Sequence, residues 1–317
     1  MPPPGTRETE HEIMVRAPAA KVYQLIAEVE NWPRIFPPTV YVDSEERHGR
    51  DERIRIWATA NGEAKNWTSR RRLDPDALRI DFRQEVSRPP VAAMGGAWVI
   101  EPSSDRAAPE TRVRLLHDYR AEDDDPDKLA WIDRAVDGNS HAELAALKAH
   151  AELEPGTGGL LMTFSDDVWV DGRAADVFDF LNEARHWPRR LPHVERVSLR
   201  EDTPGQQLLT MDTRTKDGST HTTTSVRVCL PHTKIVYKQI HVPPLMTLHT
   251  GEWELTPEDG GVRATSWHTV MINEANITKI LGPEAGLPGA RDFVRSALSA
   301  NSLATLRHAK DYAERRG

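Results

Sequence analysis

One cysteine, Cys229, stands in 317 residues, so no internal disulfide framework and no cysteine-rich metal centre can form. Its neighbours Val228 and Leu230 mark it as a packing residue rather than a nucleophile. Long apolar runs are missing as well: nothing approaches the roughly 18 residues of a membrane span. The opening segment, Met1 to Glu10, has neither the basic start nor the apolar core of an export signal. A reduced, cytoplasmic setting is the expectation. Positive charge is in deficit, with 41 Lys and Arg against 49 Asp and Glu, a formal net charge of -8. No overall field therefore gathers nucleic acid or an anionic membrane, and neither is expected as a partner. Signatures of cofactor chemistry are also missing. There is no His-Glu-x-x-His zinc motif, no glycine-rich phosphate loop and no Gly-x-Ser-x-Gly nucleophile elbow, so no metal and no nucleotide cofactor is indicated.

What is present is a doubled chain. Val15-Arg-Ala-Pro-Ala-Ala-Lys-Val-Tyr-Gln-Leu-Ile, running on to Asn31-Trp32-Pro33-Arg34, lies without a gap over Val170-Asp-Gly-Arg-Ala-Ala-Asp-Val-Phe-Asp-Phe-Leu and His186-Trp187-Pro188-Arg189. The displacement between Trp32 and Trp187 is 155 residues; Trp98 meets Trp253 at the same spacing, and Arg71 meets Arg227 one residue later. A period this long means two copies of a whole domain, not a solenoid. The Pro and Gly of 155–159 read as a linker between domains 1–154 and 160–317.

Each copy opens with an amphipathic helix, since Val22, Leu25, Ile26, Val29 and Val177, Phe180, Leu181, Ala184 both follow the i, i+3, i+4, i+7 spacing. Each closes with a longer one. There Ile132, Val136, Leu144, Leu147 and Ala151 are answered by Val294, Leu298, Leu306, Ala309 and Ala313. Between them lie short runs such as 52–57, 78–82, 97–100 and 112–116, spaced as an antiparallel meander. The order predicts an α+β layer in each copy, its last helix packed on a curved sheet with a cavity between.

Polar residues fall where that cavity would be. Ser140 and Ser302 interrupt the apolar stripe of the closing helices, either as cavity wall or bonded back to their own helix. In the strand after Asn61-Gly62, alternation puts Lys65, Trp67, Ser69 and Arg71 on one face; after Asp217-Gly218 it puts His221, Thr223, Ser225 and Arg227 there. An inward arginine stays charged and can hold an oxyanion or a polarised carbonyl, whereas an outward one makes only a weak surface ion pair. Late-strand His117 and His268 are candidate acids or bases.

The constellation resembles the two-domain aromatase/cyclases of bacterial type II polyketide synthases, of the START/Bet v 1-like helix-grip superfamily. The likeness spans nearly the whole chain. It rests on Ala17-Pro18 with Val22, on the two Trp-Pro segments beginning at Trp32 and Trp187, on Trp67-Thr-Ser-Arg-Arg71, on Trp98 and Trp253, and on the doubling itself. The resemblance implies two tandem helix-grip domains, each a curved seven-stranded antiparallel sheet around a long C-terminal helix. It implies a cavity for a poly-β-ketone carried by an acyl carrier protein, other type II synthase subunits as partners, and no cofactor. It places the catalytic groups on Arg227, Ser225, His221, Arg71 and Ser69. The substrate would touch Thr223, Trp187, Trp253, Ser266, His268, Trp32, Trp67, Trp98 and His117. A tyrosine that some relatives carry just beyond Trp-Pro is replaced by Thr39 and Val194.

The chemistry implied is intramolecular aldol closure of the first ring, then dehydration to an arene. The smaller row on His221, Thr223 and Ser225 makes the C-terminal pocket the expected site. Arg34, Arg189 and Arg190 are candidates for carrier docking. A hydrophobic-ligand carrier of the same fold is the alternative; its cavity would be lined almost wholly by apolar groups.

Overall fold

A computed structural model describes residues 5–60, 63–87, 89–103, 110–153, 159–214, 218 and 220–316. The expected linker residues Pro155–Gly158 and the expected turn residues Asn61, Gly62 and Asp217 lie outside the described residues. The chain divides into two compact units, one formed by Met1–Ala60 with Lys65–Leu153, the other by Asn61–Ala64 with Glu154–Gly317.

The first unit runs β1 (Arg7–Val15), α1 (Ala19–Ala27), α2 (Trp32–Ile35), β2 (Thr39–His48), β3 (Asp51–Ala60), β4 (Glu63–Asp74), β5 (Arg79–Gln84), β6 (Val91–Pro102), β7 (Thr111–Ala121) and α3 (Pro126–Ala151). Its seven strands are ordered β1-β7-β6-β5-β4-β3-β2, an antiparallel meander whose first strand returns to pair with its last. The second unit repeats this with β8 (Leu161–Val170), α4 (Ala174–Asn182), α5 (Trp187–Arg190), β9 (Val194–Thr203), β10 (Gln206–Arg214), β11 (Thr220–Leu230), β12 (Lys234–His241), β13 (Met246–Glu258), β14 (Gly261–Ile272), the short α6 (Ile277–Leu281) and α7 (Leu287–Glu314). Its sheet order is β8-β14-β13-β12-β11-β10-β9. Two seven-stranded sheets, each closed by a long C-terminal helix, are the expected fold.

Each closing helix packs on the sheet of its own unit, α3 on β1 and β7, α7 on β8 and β14. The stripe read from sequence is the buried one in both: Ile132, Val136, Leu144, Leu147 and Ala151 in α3, Val294, Leu306, Ala309 and Ala313 in α7. Capping fixes where α3 begins. The Asp125 carboxylate accepts from the backbone N–H of Asp127 (2.8 Å) and of Lys128 (3.0 Å), while Pro126 needs no donor partner there. In α1 and α4, Val22, Ile26, Val177 and Leu181 are buried completely, and in each unit they share an apolar cluster with residues of the closing helix and the sheet. Lys65 departs from expectation. It shares a strand face with Arg71 but is exposed, because β4 runs past the margin of its neighbour, whose pairing begins only at Ser69.

Candidate active site

Strand register brings the inward polar groups of the second unit into adjoining rows. Arg227 on β11, Tyr237 on β12, Gly251 on β13, His268 on β14 and Phe164 on β8 lie side by side across the sheet. One row further, Cys229, Ile235, Trp253, Ser266 and Asp166 are aligned in the same way. On the other side stand Ser225 and Gln239, with His249 two residues before Gly251. Glycine at 251 is a packing requirement: a Cβ there would come within 2.5 Å of the Tyr237 hydroxyl. The bare strand lets the phenol cross to the histidines.

Those histidines form a hydrogen-bonded chain. Tyr237 Oη (3.1 Å) and His249 Nε2 (3.0 Å) both approach His268 Nδ1, and Ser266 Oγ lies 3.1 Å from His268 Nε2. Burial holds His268 far below the usual imidazole range, at about 4, and pushes His249 lower still, so both are neutral at pH 7. In the tautomer that keeps the proton on His268 Nε2, this nitrogen donates to Ser266 and the Nδ1 lone pair is shared by the phenol and His249 Nε2–H. This assignment leaves His249 Nδ1 as a lone pair. That atom is buried and has no partner.

Arg227 supplies the opposite deficit. Its side chain is 2% exposed; Nη2 donates to the Leu181 carbonyl at 2.7 Å and the guanidinium lies over Trp187, 5.3 Å from the ring centroid. Its Nη1 is buried without a partner, and among the described residues no carboxylate bonds the guanidinium. Burial lowers its pKa, yet a guanidinium starts so high that it stays charged. Gln207 Oε1 and Gln239 Oε1 are also buried and unpartnered. Asp166 Oδ2, in the next row, is unpartnered too, so one unpaired cationic donor shares an interior with His249 Nδ1 and three unpaired side-chain oxygens. Such a set is costly unless something occupies it.

The first unit holds the equivalent row, Arg71, Phe82, Gly96, His117 and Thr9, but its arginine is spent. Arg71 donates from Nε to Glu52 (3.1 Å), from Nη1 to the Ile26 carbonyl (3.0 Å), and from Nη2 to the Ala27 carbonyl (2.8 Å) and again to Glu52. Trp32 stacks beneath it at 5.2 Å, and Glu52 takes a further bond from Ser44 at 2.9 Å. In the second unit Gln207 stands in place of Glu52, directly across from Arg227. Phe82 likewise replaces the phenol of Tyr237. His117 is held at about 4 by burial, and its Nδ1 is unpartnered.

The remaining expected residues divide between these settings. Ser69 is buried, with its hydroxyl donated to the Arg83 carbonyl at 3.0 Å, so it offers no free donor. Thr223 and Ser225 are buried beside Arg227 on β11, and His221 is half-buried further along the same face. Trp187, Trp98 and Trp253 are packed into the apolar cores; Trp187 and Trp32 anchor their indole N–H on the Phe180 and Ile26 carbonyls (3.1 and 3.0 Å). Trp67 packs with Trp32 against Ile54 and Ile56. Sequence reasoning missed Tyr237, His249, Gln207 and Gln239. A cavity of about 710 Å³ lies in the first unit, lined by Arg71, Phe82 and His117 but mostly by charged side chains including Arg70, Arg72, Arg79 and Arg83. Arg70, Arg72 and Arg83 alternate with Arg71 and Phe82 and so lie on the opposite face of the sheet, whereas the unpaired polar atoms lie in the interior of the second unit. Carbonyl chemistry needs a donor whose hydrogen bonds are not already made, which Arg227 has and Arg71 lacks.

Two helix-grip units, each a seven-stranded antiparallel sheet closed by a long helix over a buried arginine, define the fold class. Residues 15–126 and 162–314 each match a family described as polyketide cyclase/dehydrase and lipid transport. The chain is 53% identical over 304 residues, 94% of its length and 97% of the relative's, to the granaticin polyketide synthase bifunctional cyclase/dehydratase of Streptomyces virginiae. It is 43% identical over 316 residues to the actinorhodin polyketide synthase bifunctional cyclase/dehydratase of Streptomyces coelicolor, covering 96% of each chain. The crystal structure of the di-domain aromatase/cyclase BexL of the BE-7585A pathway superposes with a TM-score of 0.90 at 62% identity, covering 97% of this chain and 99% of that one. StfQ, of the steffimycin pathway, gives 0.88 at 36% identity over the same shares. The chain belongs to the polyketide cyclase/dehydratase family, in its two-domain form.

Proposed function

We propose that the second unit closes and aromatises the first ring of a poly-β-ketone held on an acyl carrier protein of a type II synthase, in the cytoplasm. The observation that carries this is that Arg227 Nη1 and His249 Nδ1, both buried in the second unit, have no hydrogen-bond partner. A methylene flanked by two carbonyls is already acidic, so the protein has three tasks: to fold the chain, take one proton and hold one oxygen. His249 Nδ1 accepts the methylene proton. The carbanion carbon attacks a carbonyl carbon further along the chain, a C–C bond forms, and the carbonyl π pair moves onto oxygen, where Arg227 Nη1 stabilises the charge. A proton returned through the Tyr237–His268–His249 chain converts that alkoxide to the alcohol. Loss of a second α-proton and of the hydroxyl as water then gives the double bond, and enolisation completes the arene. Ser225, Thr223, His221 and the two glutamine oxygens orient carbonyls and enols. Trp187 backs the guanidinium.

For the carrier, the exposed Arg189 is the stronger docking candidate, since Arg190 is tied to Glu183 at 2.7 Å and stacked on Phe180 and Tyr312. Reconstitution with a minimal synthase tests the assignment. Arg227→Ala should cost on the order of 10²-fold in correctly cyclised product while the protein stays folded. Arg71→Ala should act on stability instead, by about 3–5 kcal/mol, because it strands the buried Glu52 carboxylate. If Arg71→Ala abolished the product in a folded protein and Arg227→Ala did not, the chemistry would belong to the first unit. A hydrophobic-ligand carrier would lose no product with either.

A further inference from the structure

We propose that His11, Asp137 and His141 of the first unit bind one divalent transition-metal ion of the zinc class, fastening α3 to the edge strand β1. Asp137 and His141 are four residues apart on α3 and so share one face of that helix. His11 meets them from β1, on the inward side of the strand with Thr9 and Ile13. Its Nε2 lies 3.0 Å from Asp137 Oδ1; His141 Nδ1 lies 3.6 Å from the same oxygen, and the three ligand atoms all fall within 4.8 Å of one another. The two imidazoles stand edge to face with centroids 4.9 Å apart. A zinc ion with bonds of about 2.0–2.1 Å has its ligands about 3.3 Å apart. Two of the three separations are near that value already. The third closes by rotation of the 68%-exposed His141 side chain, which exchanges the hydrogen bond of its Nδ1 to the Asp137 carbonyl (2.9 Å) for the metal.

The donor set selects the ion. Two imidazoles and one carboxylate, with positions left for water, suit zinc, cobalt or nickel and not the all-oxygen cages of magnesium or calcium. An approach exists: a cavity of about 370 Å³ is bounded by Arg7, Thr9, Glu10, His11, Tyr119, Asp133 and Asp137. An ordinary His–Asp ion pair leaves one feature unexplained. His11 is almost buried, its side chain 9% exposed, and its Nδ1 has no partner. Four further buried atoms in this unit are unpartnered, Thr9 Oγ1, His117 Nδ1, Arg120 Nε and Ser140 Oγ, with Thr9 directly across from His117 in the sheet. A metal on Nε2 fixes the proton on Nδ1 and so defines that buried, unpartnered atom as a donor. The second unit carries an internal control, since Asp166, Ser299 and Leu303 stand where the repeat places His11, Asp137 and His141. One site per chain is the consequence.

The full chain, freed of metal by a chelator and dialysed, is titrated with zinc by calorimetry and with cobalt by visible absorption. One equivalent should bind with a Kd in the micromolar range or tighter, with a ligand-field band for cobalt and a rise in Tm on adding zinc. His141→Ala and Asp137→Asn alter exposed positions, so the metal-free Tm should hold while zinc affinity falls at least tenfold. His11→Gln should lose the site as well. Wild-type protein that binds no zinc below about 1 mM overturns the proposal, as does a His141→Ala variant whose affinity falls by less than tenfold.

Discussion

At the scale of single residues, two arginines in the same place of two copies of one fold differ by one neighbour. Glu52 neutralises Arg71 and consumes its donors, whereas Gln207 leaves Arg227 charged and one nitrogen short of a partner. Buried neutral histidines add a second consequence, in pH. His268 and His117 are both held at about 4 by burial, against 6.5 when solvated. Between those two values the unfolded chain binds more protons than the folded one, so stability rises with pH. The contribution is complete above 6.5 and is lost as pH falls toward 4, on the order of 3 kcal/mol for each histidine. The guanidinium chloride midpoint should therefore be lower at about pH 5 than at about pH 7.5. An unchanged midpoint would mean that both imidazoles are solvated in the native state.

At the scale of elements, the closing helices show how one sequence signal can have two structural outcomes. Ser302 bonds back to the Leu298 carbonyl at 3.0 Å and the Ser299 carbonyl at 3.3 Å, whereas Ser140 Oγ is buried with no partner. Ser302→Ala should cost less than about 1 kcal/mol, and Ser140→Ala should be neutral or stabilising by about 1 kcal/mol, since it deletes an unsatisfied group. Leu144→Ala, by contrast, should cost about 2–5 kcal/mol from the cavity it opens. Urea unfolding of the three variants checks the order; a large loss in Ser140→Ala would mean its hydroxyl has a bound partner in solution. The helices, the meander and the inward arginine row were legible because each rests on local periodicity. Tyr237 and His249 were not, because they reach Arg227 and His268 only through hairpin register. The Leu230–Lys234 turn sets Tyr237 opposite Arg227, and two further strands bring in the histidines. Glu52 did leave a signal, an acid in phase with the buried Ile54 and Ile56. Reading it as the partner of Arg71 needs the pairing of β3 with β4.

At the scale of the whole molecule, the two copies of one fold differ in the pairing of their buried arginine. The second unit keeps a charged donor without a partner, at a cost in stability; the first has exchanged that donor for a satisfied ion pair in its core. Each unit has its own apolar clusters, with α3 and α7 each closing the sheet of its own copy. A chain cut within 155–159 should therefore give two fragments that each fold, because no core element has to be borrowed. Separate expression should yield near-UV circular dichroism characteristic of fixed aromatic packing, with a cooperative urea transition in each fragment. The two transitions should differ in a defined way: Arg71→Ala should lower the midpoint of the first fragment, whereas Arg227→Ala should leave or raise that of the second, which loses an unpaired buried charge. Fragments that gave only broad, non-cooperative transitions would show that the two cores stabilise each other, and the copies would then be halves of one folding unit.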